Sequence, residues 1–352
     1  MVLGSIFTKI GDIFGSVWPY LVAVFLFLFM IVIHEFGHFL AAKLLGVRVN
    51  EFSVGFGPAI FNRKGKETLY SLRAVPFGGF CAMEGEDEGS NDPKAFCNKS
   101  AWRRLIIIVA GAFCNLVFGL VLVSFILAPA NRFITTTVDG FHENSVSQNS
   151  LEVGDKILKI NGRSVYSVND LSYCLSNIEG DTLKMVVERD GKKTSMDVKF
   201  NTETHEGINY VTIDFYLKTV PKTLGSFLSQ TFTRTFSYAK IVWFSLIDLL
   251  TGKFGISQMS GPVGVTAVIG TAAKTGLSDL LPIIALITIN LGVFNMLPVP
   301  ALDGGRAFFI LVEMIIRRPV PKKFEAVVHA VGLILLLALM AVITVKDIVG
   351  FF

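Results

Sequence analysis

Residues 105–128 form a run of 24 positions without a charge. As a helix rising about 1.5 Å per residue, the run is long enough to cross the roughly 30 Å hydrocarbon core of a bilayer. No water in that core satisfies a loose N–H or C=O, so a spanning segment closes its own backbone hydrogen bonds. The run therefore predicts a transmembrane helix, entered through Trp102-Arg103-Arg104. Residues 20–45 predict another, with Trp18 and Tyr20 as interfacial anchors. A third begins near Leu281, is interrupted by Pro298 and Pro300, resumes over residues 307–316 and ends at Arg317-Arg318. A fourth covers residues 327–345. With 52% hydrophobic and 17% charged residues, the composition fits a polytopic membrane protein with one soluble insert.

Between the spans the pattern changes. Residues 50–85 alternate and are rich in Gly and Phe, which predicts short strands with a hairpin turn near Lys64-Gly65-Lys66. Residues 132–218 become polar with strand-like alternation and form the insert. This divides the chain into an N-terminal membrane half (1–131), the insert (132–218) and a C-terminal membrane half (219–352). Within the last, residues 226–250 predict an amphipathic interfacial helix. Gly261-Pro262-Val263-Gly264 fits either a surface or a re-entrant segment.

Charge gives orientation. Ten Lys/Arg lie from Lys43 to Arg104, and four more at Arg317, Arg318, Lys322 and Lys323. The outer flanks carry only Lys9 and Lys346, so the positive-inside rule puts both termini and the insert outside the cytoplasm. The net charge of +4 is too small to argue for nucleic acid. Cys81, Cys97, Cys114 and Cys174 form no C-x-x-C pair and predict neither a disulfide framework nor a cysteine zinc site. The first apolar run is too long for a signal peptide and has no A-x-A site after it, so it reads as a retained span.

That first span contains His34-Glu35-Phe36-Gly37-His38. On a helix the two histidines of H-E-x-x-H lie one turn apart on one face, where two neutral imidazoles can bind Zn²⁺. The glutamate between them is placed to take a proton from the attacking water. Ionisable groups at membrane depth are costly and usually functional. His142, His205 and His329 stand alone and read as structural or solvated.

A catalytic zinc site usually takes three protein ligands. No Glu or His follows His38 until Glu51, and the best third candidate is distant: Asp303, in the segment that breaks the third span. Broken backbone at membrane depth is tolerated where it lines a cavity. Counted from Lys43, Arg104 and Arg317, His34 lies about 14 Å deep, Asn115 about 17 Å and Asp303 about 21 Å. Tilt and unwound turns absorb such differences, so the three fit one level. Asp is also a favoured N-cap, which leaves a capping role for Asp303 open.

H-E-F-G-H in the first span, Asn295-Met-Leu-Pro-Val-Pro-Ala-Leu-Asp303-Gly in the third and an insert between them resemble the site-2 protease family. Gly111-Ala-Phe-Cys-Asn115 and Ser260-Gly-Pro-Val-Gly264 extend the resemblance, although Ala112 stands where the family usually has proline. The run Gly154-Asp-Lys-Ile-Leu-Lys-Ile-Asn-Gly-Arg163 resembles a PDZ signature. The resemblance implies a polytopic α-helical membrane protein of about four transmembrane helices, a membrane-associated β-rich loop and an inserted PDZ-like α+β domain. It implies Zn²⁺ held by His34, His38 and Asp303, with Glu35 as base, Asn295 positioning the substrate backbone and Asn115 as a polar donor. It further implies a multi-pass protein of the bacterial cytoplasmic membrane. Its substrates would be membrane-embedded peptides, such as single-span anti-sigma factors or signal-peptide remnants, already trimmed by a site-1 protease. The stretch from Glu51 to Val75 would offer an edge for the unwound substrate.

Three function classes meet these features. The first is an intramembrane zinc endopeptidase. The second is a membrane-anchored zinc protease of another kind, which would normally supply its third ligand closer to His38. The third is a catalytically silent PDZ-bearing adaptor, for which an intact Glu35 has no chemical use.

Overall fold

A computed structural model describes residues 2–86, 89–176, 178, 180–205, 208–253, 255 and 259–350, with the backbone alone at 2–16, 77, 204, 205, 208 and 209. The His205 side chain therefore lies outside the described residues. The chain divides into two compact units, one built from residues up to Leu122 and from Leu246 onward, the other from Val123–Ser245.

In the first unit, α1 (Val2–Leu44) is followed by β1 (Val49–Lys64), β2 (Leu69–Met83) and α2 (Ala101–Leu127). After Leu246 come α5 (Pro262–Thr275), α6 (Leu277–Asn295), α7 (Asp303–Ile316) and α8 (Lys322–Gly350). Among the described residues, four helices are long and apolar enough to cross a membrane: residues 17–44 of α1, then α2, α6 and α8. The third span expected from the sequence is two helices. Pro298 and Pro300 supply no N–H and cannot continue an α-helical ladder, so the chain turns between Asn295 and Asp303 and restarts as the 14-residue α7.

The hairpin turns where the sequence predicts, but each arm bends back on itself. Residues 49–54 pair with 79–83 on one side and, over 51–54, with 69–72 on the other, while 59–64 pair with 69–73. Gly55 and Gly57 bend the first arm and Gly78 the second, all at positive φ. The folded hairpin thus has edges at 59–64 and 79–83. Within the Glu51–Val75 stretch, 51–54 and 69–72 are interior because each is paired on both sides, while 59–64 is paired on one side only among the described residues and forms an edge. Ala41, Ala42 and Val49 pack with Cys81, Ile107 and Ile310 into one apolar cluster, which ties α1, the hairpin, α2 and α7 together.

The second unit holds β3 (Arg132–Phe141), β4 (Lys156–Ile160), β5 (Arg163–Ser164), α3 (Val168–Leu175), β6 (Thr182–Arg189) and β7 (Lys192–Lys199). A ribbon of β8 (Thr202–His205) and β9 (Ile208–Val211) precedes β10 (Phe215–Pro221) and α4 (Leu224–Leu250). The sheet order is β10-β3-β4-β6-β7, with β5 paired to β4. Alternate residues such as Ile157, Leu183, Met185, Val187 and Val198 point into one core with Leu171 of α3. The unit reaches past 132–218 to take in α4 as far as Ser245. Lys240 of α4 explains why: its ammonium pairs with buried Asp170 at 2.9 Å, and Ser237 donates to the same carboxylate oxygen. Asp170 also accepts the Ser167 N–H and closes a capping box on α3.

Candidate metal centre

His34 and His38 lie one turn apart on α1, and both are buried. Their Nε2 atoms are 3.2 Å apart. Asp303 brings Oδ2 to 2.9 Å from His34 Nε2 and 3.2 Å from His38 Nε2, across more than 260 residues of sequence. Bonds of about 2.0–2.2 Å at tetrahedral angles put neighbouring donors roughly 3.3 Å apart, so this spacing fits one zinc ion.

The imidazoles are also turned correctly. His38 Nδ1 lies 2.8 Å from the Ile107 carbonyl, which can only accept, so Nδ1 carries the proton and Nε2 keeps its lone pair. His34 Nδ1 lies 3.2 Å from the Asn115 amide, whose Oδ1 is buried and without a partner. Rotating that amide by half a turn lets Oδ1 accept the His34 Nδ1–H, and frees His34 Nε2 as well.

Asp303 is the first residue of α7, and the N-cap is Leu302. The carboxylate reaches the histidines, which answers the capping alternative. Asp303, Glu35 and Asn295 line one cavity of about 240 Å³ with His34. All six residues expected at the site are thus gathered there: five by distance or shared cavity, and Asn115 through its contact with His34.

Two glycines that the histidine motif does not explain make this possible. A Cβ on Gly111 of α2 would lie 2.9 Å from His34 Cε1 and closer still to His38. A Cβ on Gly37 would lie 2.9 Å from Gly111 Cα. The α1–α2 approach behind the histidines therefore excludes any side chain at either place. Gly79 of β2 is the hairpin residue beside the base, since a Cβ there would meet Glu35 Cγ at 3.6 Å.

Residues 22–339 match peptidase family M50. The chain belongs to that family, the site-2 proteases. It is 37% identical to a relative from Clostridium acetobutylicum whose name describes a zinc metalloprotease, over 95% of this chain and 98% of that protein. A similarly named relative from Fusobacterium nucleatum is 35% identical, over 94% and 98%. The zinc metalloprotease RasP of Geobacillus kaustophilus is 28% identical, over 92% and 96%. The chain is accordingly a zinc metalloendopeptidase with zinc as its cofactor, which removes the silent-adaptor reading.

Proposed function

We propose that this family member cuts peptide bonds within the membrane. The observation that carries the reading is the placement of the donor set. His34 and His38 stand on a helix apolar enough to cross a bilayer, and Asp303 follows a break between two apolar helices. In this reading His34, His38 and Asp303 hold the ion. Zinc, when bound, acts as a Lewis acid on the scissile carbonyl and on the attacking water. Glu35 accepts a proton from that water and delivers it to the leaving amine. Asn295 orients the substrate backbone from the other wall of the cavity, and Asn115 holds His34.

A transmembrane helix hides its peptide bonds, so the substrate enters unwound. The 79–83 edge beside Glu35 is the strand it pairs with. The substrates are single-span regulators such as anti-sigma factors, or signal-peptide remnants, trimmed beforehand by a site-1 protease. Residues 132–218 act as a PDZ-like gate on the extracytoplasmic side, and exclude proteins with bulky outer domains. Both termini share that side, and the protein resides in the bacterial cytoplasmic membrane.

The test is cleavage of a trimmed single-span reporter by purified protein, with zinc content measured in parallel. Wild type should hold about one zinc and cleave, while Glu35→Gln should hold zinc and leave the reporter intact. Cleavage of soluble segments alone, with the membrane-embedded reporter untouched, would replace this reading with the membrane-anchored protease.

A further inference from the structure

His329 lies on α8, outside every motif described above, and it touches the turn that presents Asp303. The Ala301 backbone N–H donates to His329 Nδ1 at 2.9 Å. Ala301 has φ +73°, a left-handed conformation that a residue with a Cβ adopts only when held there. Two residues later the chain reaches Asp303. One turn further along α8, Gly332 receives Pro300: a Cβ at Gly332 would lie 2.9 Å from the Pro300 carbonyl oxygen. One face of α8 therefore grips Pro300 and Ala301 together.

The grip has a chemical requirement. A backbone N–H at membrane depth needs an acceptor supplied by protein. The turn's own bonds, from Leu302 N–H to the Val299 carbonyl and from Gly305 N–H to the Leu302 carbonyl, leave the Ala301 N–H to His329. Since that N–H can only donate, His329 Nδ1 carries the lone pair and the ring is the neutral tautomer protonated at Nε2. His329 Nε2 is buried without a hydrogen-bond partner among the described residues, with Glu325 no nearer than 3.9 Å, so beside an edge contact with Phe309 the bond from Ala301 is what orients the ring.

We propose that His329 is a positioning residue for the zinc site: by holding Ala301 in its left-handed turn, it aims the Asp303 carboxylate at the two histidines. This rests on the reading of Asp303 as a ligand, and the experiment separates the two ideas. Full-length protein is purified, and zinc affinity is measured by chelator competition, with the absorption spectrum of the cobalt-substituted protein as a second readout.

Asp303→Ala should lose tight metal binding and alter the cobalt spectrum. His329→Ala should weaken zinc about tenfold or more, the usual effect of removing a group that orients a ligand. His329→Asn, whose Oδ1 can replace Nδ1 as acceptor, should recover most of that loss. His329→Phe, which fills the space without an acceptor, should not. Ala301→Gly placed in the His329→Ala background should also recover binding, because glycine takes positive φ unaided. Wild-type affinity in both His329→Ala and His329→Phe, with Asp303→Ala defective, would overturn the positioning role and leave the ligand standing. Equal behaviour of His329→Asn and His329→Phe would overturn it too, by showing that volume is what matters. Wild-type affinity in Asp303→Ala would remove the ligand reading and this proposal with it.

Discussion

The Asn115 amide lies 3.2 Å from His34 Nδ1, on the far side of the imidazole from Asp303. Asn115 is fully buried in α2, so the contact fixes the ring in a place water does not reach. Replacing it with leucine keeps the branched shape of the side chain and removes the amide. The expected result is zinc affinity lower by about tenfold to a hundredfold with the helices still packed. Chelator competition on Asn115→Leu, beside a thermal unfolding curve, reads both.

Gly111 makes a sharper prediction. An added methyl would press on both imidazoles, and Gly111→Ala should cost about 1–3 kcal/mol of stability as α1 and α2 move apart. Zinc should be lost with it. Gly225→Ala on α4 is the control, since nothing lies within 4 Å of that position. It should leave stability unchanged or raise it by up to about 1 kcal/mol, the helix preference of alanine over glycine. Melting temperatures of the two variants, compared with wild type, test the contrast.

These residues also show what the sequence made legible. Apolar run length predicts α1, α2 and α8 directly, because a spanning helix has to satisfy its own backbone. The H-E-x-x-H spacing fixes two donors because both sit on one helix. Asp303 was reachable through the prolines, which announce broken backbone where broken backbone needs a purpose. The doubled-back hairpin was not, since alternation marks strands without saying which of them pair twice. The Gly37–Gly111 approach depends on the register of α1 against α2, and the His329 contact on where α8 crosses a turn. Neither relation leaves a local pattern. Lys240 hid the reach of the inserted unit in the same way, as one charge on an otherwise amphipathic helix.

Acid should loosen the inserted unit through Asp155. Its side chain is fully buried and lies 2.7 Å from the Arg189 guanidinium. Burial alone would push the carboxyl up. Arg189 and the Glu152 N–H outweigh it and hold the group below the ordinary carboxylate range. A depressed folded value means the stabilisation is complete above the unfolded value of about 3.9 and fades as pH falls through the folded one. Asp155→Asn should cost about 1.5–3 kcal/mol at neutral pH, the range for a hydrogen bond to a charged group, since Arg189 keeps Glu152 and part of its solvent contact. The gap to wild type should close in strong acid. Hydrogen exchange of β4 and β6 against pH measures it, and a gap that stays constant down to low pH would contradict the role of the pair.

Substrate pairing on the hairpin can be located by cross-linking. The 79–83 segment is paired on one side only among the described residues, and Gly79 places its start beside Glu35. The opposite edge, 59–64, is paired to 69–73 and includes the exposed Asn62. A chain stripped of its four cysteines, carrying Glu35→Gln to hold substrate, would receive either Ala82→Cys or Asn62→Cys. A reporter with one cysteine beside its scissile bond should form a disulfide with position 82. Accessibility alone favours position 62, which is exposed where Ala82 is half-buried. Preference for position 82 would therefore reflect strand addition next to the base. Preference for position 62 would mean that the peptide approaches Glu35 by a path that does not use this edge.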